Sequence, residues 1–215
     1  MNSTVATLDG VAADGAAVLV GEVRVGALAV LRDVELTEVL RAAGEVQRRL
    51  DALLVETVAE VEARSVGPRD EQLTTGQGCR TTNELLQRTL GVDGRQGARL
   101  VKASKAVRRE VEICTGAPLP ARWPQLREAM LDGAVGLDGL LAAVSPLDQA
   151  GPRIGDADRL RADAELAAHA RADALDGSGP GATPEDLGIL ARVIVTNGLL
   201  QALSDGGLIL DCDLR

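Results

Sequence analysis

At 215 residues, 46% apolar and 26% charged, the chain is long enough to bury a core and has the composition of a globular, non-fibrous protein. Its net charge of −9 repels DNA and anionic membranes as a whole, so contact with either must come from a local patch. Trp123 is the only aromatic residue, which leaves Leu, Val, Ile and Ala to build the core and removes the stacking platforms of single-strand and RNA binders.

Residues 1–32 form a poorly defined N-terminal segment with turn signals at Asp9-Gly10 and Asp14-Gly15. Within it, "VLVGEVRVGALAVL" reads equally as a helix or a pair of strands. No basic residue precedes Arg24, so the segment lacks a secretory start. From Asp33, a plausible N-cap, the pattern becomes helical. Leu36, Val39, Ala43, Val46, Leu50, Leu53 and Thr57 recur at alternating steps of three and four, until Gly67 and Pro68 end the run. This is a long amphipathic helix, read either as a bundle helix or as the seam of a homodimer through residues 34–64.

"DEQLTTGQGCR" is a predicted loop. Thr81 then opens a helix, with Glu84 three residues on completing a capping box. "GVD" breaks that helix, and Asp93 caps a second one running to about Cys114. A Pro-rich connection leads to a helix over Pro124–Leu131 and another over Leu137–Val144. "SPLDQAGPRIG" is a loop, "DADRLRADAELAAHARADAL" a helix rich in Ala and Leu, and "DGSGPGA" a break. Thr183-Pro184 starts a last helix that reaches about Ser204. The tail 208–215 has strand-like alternation and no partner strand. The expected fold is all-α, a bundle of six or seven helices over residues 33–207.

No catalytic set assembles, so the chain is expected not to be an enzyme and to need no cofactor. His169, the only histidine, sits on a helix with Glu165 and Asp173 within a turn, a thin basis for a metal site beside the reading as a surface or packing histidine. Asp211 and Asp213 are a weak carboxylate pair, Ser178 has no base, and neither lysine completes a phosphate loop. Cys79, Cys114 and Cys212 are odd in number and far apart, which points to a reducing, cytoplasmic setting. The uncharged run from Val193 to Ser204 is too short to span a bilayer, so no membrane is expected, and no small-molecule substrate is evident from the motifs.

One feature stands apart. Between Arg80 and Arg109, eight basic residues face only Glu84 and Asp93, a local balance of +6, which leaves −15 on the rest of the chain. Arg95, Arg99, Lys102 and Lys105, with Arg109 a turn further, follow at three- and four-residue steps and form one stripe. Arg88 flanks it from the preceding helix. A helix lying along phosphates has this footprint. Gly91 in the turn, with Leu86, Leu90, Val92 and Leu100 as apolar anchors, fits a helix-turn-helix. Gln87 and Gly97 depart from that pattern, which asks for a small and a branched residue respectively. The expected partner is therefore duplex DNA held through phosphates, against a plain basic hairpin in a bundle.

The ordered set "LRAAGEVQRRLDALLVETVAEVEA", "TTNELLQRTLGVDGRQGARLVKASKAV", "LPARWPQLREAMLDGAVGLDGL", "ADRLRADAELAAHARADAL" and "TPEDLGILARVI" resembles the actinobacterial 13E12-repeat proteins over about residues 34–207. "LSDGG" stands where that family tends to carry an Asp-Pro-Asp-Gly turn, with Ser204 for the Asp and no Pro. The resemblance implies a helical domain that often precedes an HNH endonuclease module. An HNH site needs several histidines, so it is not expected within these residues.

Overall fold

The computed structural model describes residues 26–109, 112, 114, 117, 119–151, 154–175 and 182–205. The ambiguous stretch before Gly26, the break at 176–181 with Ser178, and the tail with Cys212 lie outside them. Among the described residues the chain is all-α. A 3-10 turn at Ala27–Val30 precedes α1 (Asp33–Ala63), α2 (Leu73–Gly76), α3 (Thr82–Leu90), α4 (Gly94–Val107), α5 (Pro124–Leu131), α6 (Leu137–Ala150), α7 (Asp156–Leu175) and α8 (Pro184–Asp205). The chain divides into two compact units, Met1–Gly44 and Glu45–Arg215.

In the first unit the described residues are the 3-10 turn and the opening of α1. Asp33 lies inside the first helical turn rather than capping it. The cap comes from Glu35, whose carboxylate accepts the backbone N–H of Arg32 at 2.9 Å and pairs with its guanidinium at 2.7 Å.

In the second unit α6 packs along α8, α5 against α7, and α4 against α3, α5 and α6. The core contains Trp123, Leu126, Met130, Leu140, Leu166 and Leu187, all essentially inaccessible. Small residues fill the places aromatic rings take elsewhere. Ala143 on α6 and Ala191 on α8 are fully buried, so helices approach closely without large side chains between them. On α1 the buried positions are Ala52, Val55, Val58 and Ala59. The expected apolar row does not face the core: Val46, Leu50 and Leu53 are 54%, 48% and 40% exposed.

Both α5 and α6 start without a capping side chain of their own. Trp123 precedes α5 and Gly136 precedes α6, and neither supplies a cap hydrogen bond. Each cap arrives from another helix. Asp163 on α7 accepts from Gln125 and Leu126 at the start of α5. Asp51 on α1 accepts from the N–H of Leu137 at 2.9 Å. Arg127 completes the tie between α5 and α1 through an ion pair with Glu56 at 2.7 Å.

The expected loop after Val144 is helix instead, because α6 runs through Pro146 to Ala150. Leu147 and Ala150 are buried on the same side as Leu140 and Ala143, and that burial outweighs the backbone hydrogen bond lost at the proline. α4 stops at Val107, earlier than expected. Arg108 is extended, and the N–H of Trp123 takes up the Ala106 carbonyl near the helix end at 3.3 Å.

Candidate nucleic-acid interface

The hairpin of α3 and α4 forms for the local reasons its sequence suggests. Thr81 Oγ accepts the N–H of Glu84 at 3.1 Å, and the Glu84 carboxylate reaches back to the N–H of Arg80 at 2.9 Å. That backbone bond, aided by the charges of Arg88 and Arg80, holds the Glu84 carboxyl below its usual range. Gly91 ends α3 at φ 67°, where a side chain would be strained. Asp93 caps α4 by accepting from Gln96 at 2.7 Å.

The two helices meet at Asn83 and Gly97. A Cβ on Gly97 would stand 2.2 Å from Asn83 Oδ1, so the small residue at the crossing lies on α4, not at position 87 of α3. Asn83 Nδ2 donates to the Gly94 carbonyl at 3.1 Å, and Gln87 Nε2 lies 3.3 Å from Asn83 Oδ1. The departures at Gln87 and Gly97 thus belong to one arrangement, an amide clasp over a glycine. Leu86 and Leu100 are buried as the hairpin's anchors, whereas Leu90 is 37% exposed.

The basic residues divide by what they touch. Arg88 is exposed and ion-paired with Glu84 at 2.6 Å, one turn back on α3. Arg99 is held by Asp138 at the start of α6. Lys102 donates to the Ser145 hydroxyl on α6 at 2.8 Å. Arg109 lies beyond the end of α4, so it leaves the stripe, and its Nε donates to the Leu119 carbonyl at 3.4 Å. Arg95 and Lys105 are exposed, and no ion pair or side-chain hydrogen bond to another described residue engages either. The structure therefore keeps the stripe from Arg95 through Arg99 and Lys102 to Lys105, and removes Arg109 from it.

Beside Lys102 and Lys105 the surface sinks into a groove of about 280 Å³, walled by Thr81, Thr82 and Asn83 at the start of α3 and by Glu62 of α1. Its rim offers ammonium groups and the N-terminal turn of a helix, both suited to an anion, against the single carboxylate of Glu62. A second hollow, about 460 Å³, lies between the start of α5, the end of α6 and the start of α7. There the Arg159 guanidinium sits 5.7 Å from the centre of the Trp123 ring and donates to the Arg122 carbonyl. The Trp123 indole N–H is buried and meets no acceptor among the described residues.

His169 is exposed on α7, and among the described residues no group of three or more His, Cys, Asp or Glu is placed to hold a metal. Among those residues, too, no helix is long and apolar enough to cross a membrane. Sequence reading missed Asp51 and Asp163, because neither stands next to the helix it caps. Comparison of the chain with protein-family models, curated proteins and solved structures finds no match to any of them.

Proposed function

We propose that this chain is a duplex-DNA-binding helical domain that holds phosphates through the α3–α4 hairpin. The observation that carries the reading is the exposed row on α4. Arg95 and Lys105 stand uncommitted at its ends, and Lys102 between them is held only by a neutral hydroxyl. The Arg99–Asp138 pair is surface-exposed and worth at most about 1 kcal/mol, so a phosphate can compete for that guanidinium. Four cations along one helix, in a segment of +6 on a chain at −15 outside it, are a local field of the opposite sign. Phosphate contact of this kind positions a protein on the duplex and carries no base readout.

The resemblance to 13E12-repeat proteins adds a role: in longer relatives such a domain would bring an HNH nuclease to its substrate. The chain itself acts by binding, without catalysis and without a cofactor, and a cytoplasmic location suits that role. The test is fluorescence anisotropy of a labelled duplex at increasing salt. Binding at about 50 mM salt should weaken with a log–log slope near −3, as expected for three to four phosphates neutralised. Absence of binding by the wild type at low salt removes the reading. The other expected partner, a second copy of this chain, uses a different surface.

A further inference from the structure

From the exposed face of α1 we infer that this protein forms a homodimer along residues 34–53, each copy covering the other's apolar row. The inference is independent of DNA binding, since no residue of the row belongs to the α3–α4 hairpin.

Leu36, Val39, Ala43, Val46, Leu50 and Leu53 alternate at steps of three and four, the 3.5-residue period that keeps a seam facing a partner helix. All six are exposed. Leu40, beside the seam, is 69% exposed, and Val34 at its start 67%. The row ends where the protein's own packing begins. Ala52, Val55, Val58 and Ala59 are buried, and Thr57, the next seam position, turns its hydroxyl to the Leu53 carbonyl at 2.7 Å. The seam open to a partner is thus residues 34–53, shorter than the 34–64 span that spacing alone suggests.

The exposed apolar side chains of this row present on the order of 500 Å² per copy, near the upper end of what a monomer leaves to water. Pairing two rows hides about 1,000 Å² from these side chains alone. With the polar residues beside them, that reaches the roughly 1,200–2,000 Å² of specific interfaces. A second copy is the occupant the pattern fits, because a heptad row is complementary to itself. Charge does not oppose it. Between residues 34 and 53 four acids (Glu35, Glu38, Glu45 and Asp51) stand against three arginines (Arg41, Arg48 and Arg49), so this stretch is nearly neutral on a chain of −9. Arg49 is already paired with Glu45 at 2.7 Å, which keeps both charges beside the seam and off it.

The experiment is sedimentation equilibrium of the full chain from about 1 to 100 μM, with Val46→Glu and Leu50→Glu as variants. Both positions are about half exposed in a single copy, so a monomer tolerates either change. The wild type should pass from monomer to dimer mass, and each variant should dissociate at least tenfold more readily with its helical circular dichroism intact. Leu50→Met should dimerise like the wild type. A wild type monomeric at 100 μM overturns the inference, as does a dimer that both variants leave unchanged. It is equally overturned by a monomer whose Glu variants melt earlier, since the row is then covered by the chain's own residues.

Discussion

The carboxylate of Asp163, wholly buried on α7, accepts the backbone N–H of Leu126 at 2.9 Å in the first turn of α5. Its other oxygen accepts from Gln125 at 2.7 Å. One side chain thus satisfies two N–H groups that a helix start leaves without partners, and it fixes the two helices together. Asp163→Ala leaves both donors buried or partly buried with nothing to receive them. We expect it to lower stability by about 2–3 kcal/mol in urea unfolding. An effect below about 0.5 kcal/mol would mean that water replaces the carboxylate at no cost.

The same burial gives Asp163 an unusual titration. Loss of solvent pushes its carboxyl above the ordinary range, while the two backbone N–H groups and the charges of Arg159 and Arg171 pull the other way without cancelling it. Folded protein therefore binds this proton at a higher pH than unfolded chain. Its contribution to stability is fully present below about pH 3.9 and is lost as pH rises through the folded value. Asp186 has the opposite sign. Hydrogen bonds from the Thr183 hydroxyl and N–H hold it below the usual range, so its contribution is present above about pH 3.9 and is lost as pH falls through its folded value. Carboxyl carbon NMR titration should find the Asp163 midpoint above, and the Asp186 midpoint below, that of an unstructured Asp. Equal midpoints for the two would contradict a buried Asp163 and a hydrogen-bonded Asp186.

These carboxylates also mark where sequence reading works and where it stops. Thr183 and Asp186 cap α8 within a single turn, as do Thr81 with Glu84 and Asp93 with Gln96, so three residues of context were enough to place them. Asp163 and Asp51 cap helices that only tertiary packing brings to them, and nothing local distinguishes either from a solvent-facing acid. The period of α1 was legible, but its orientation was not. Its buried face is Ala52, Val55, Val58 and Ala59, small enough to be overlooked beside the larger row that the structure turns outward. The cationic spacing on α4 was equally plain in the sequence. That Asp138 and Ser145 engage Arg99 and Lys102 was not, since both come from α6, and Ser145 lies beyond the predicted helix end.

At the hairpin crossing, Gly97→Ala sets a gain in helix propensity against a larger loss of hydrogen bonding. Alanine favours helix over glycine by about 1 kcal/mol. Against that, the new methyl would displace Asn83 Oδ1 and break the bond from Asn83 Nδ2 to the Gly94 carbonyl, leaving partly buried polar groups unpaired. We expect a net loss of about 1 kcal/mol in the wild type. In an Asn83→Ala background the obstacle is gone, and the same change should stabilise by about 0.5–1 kcal/mol. A double-mutant cycle in urea reads this directly. If Gly97→Ala has the same effect in both backgrounds, the Asn83–Gly97 approach is not what constrains the crossing.

The cations of α4 should not respond alike to substitution. If the row binds phosphates, removing an uncommitted cation (Arg95→Gln or Lys105→Gln) should weaken duplex binding on every sequence alike and reduce the salt slope by about 0.9. Arg99 differs because Asp138 competes for it. Arg99→Gln should therefore cost less than Lys105→Gln. Asp138→Asn, which frees the guanidinium, should tighten binding by up to about fivefold, the equivalent of 1 kcal/mol. Arg88, paired with Glu84 on its own helix, should respond in the same muted way. Anisotropy titrations of these variants at two salt concentrations separate the cases. Equal losses at Arg95, Arg99 and Lys105, with no gain at Asp138→Asn, would show that the ion pair to α6 has no hold on the surface that meets DNA.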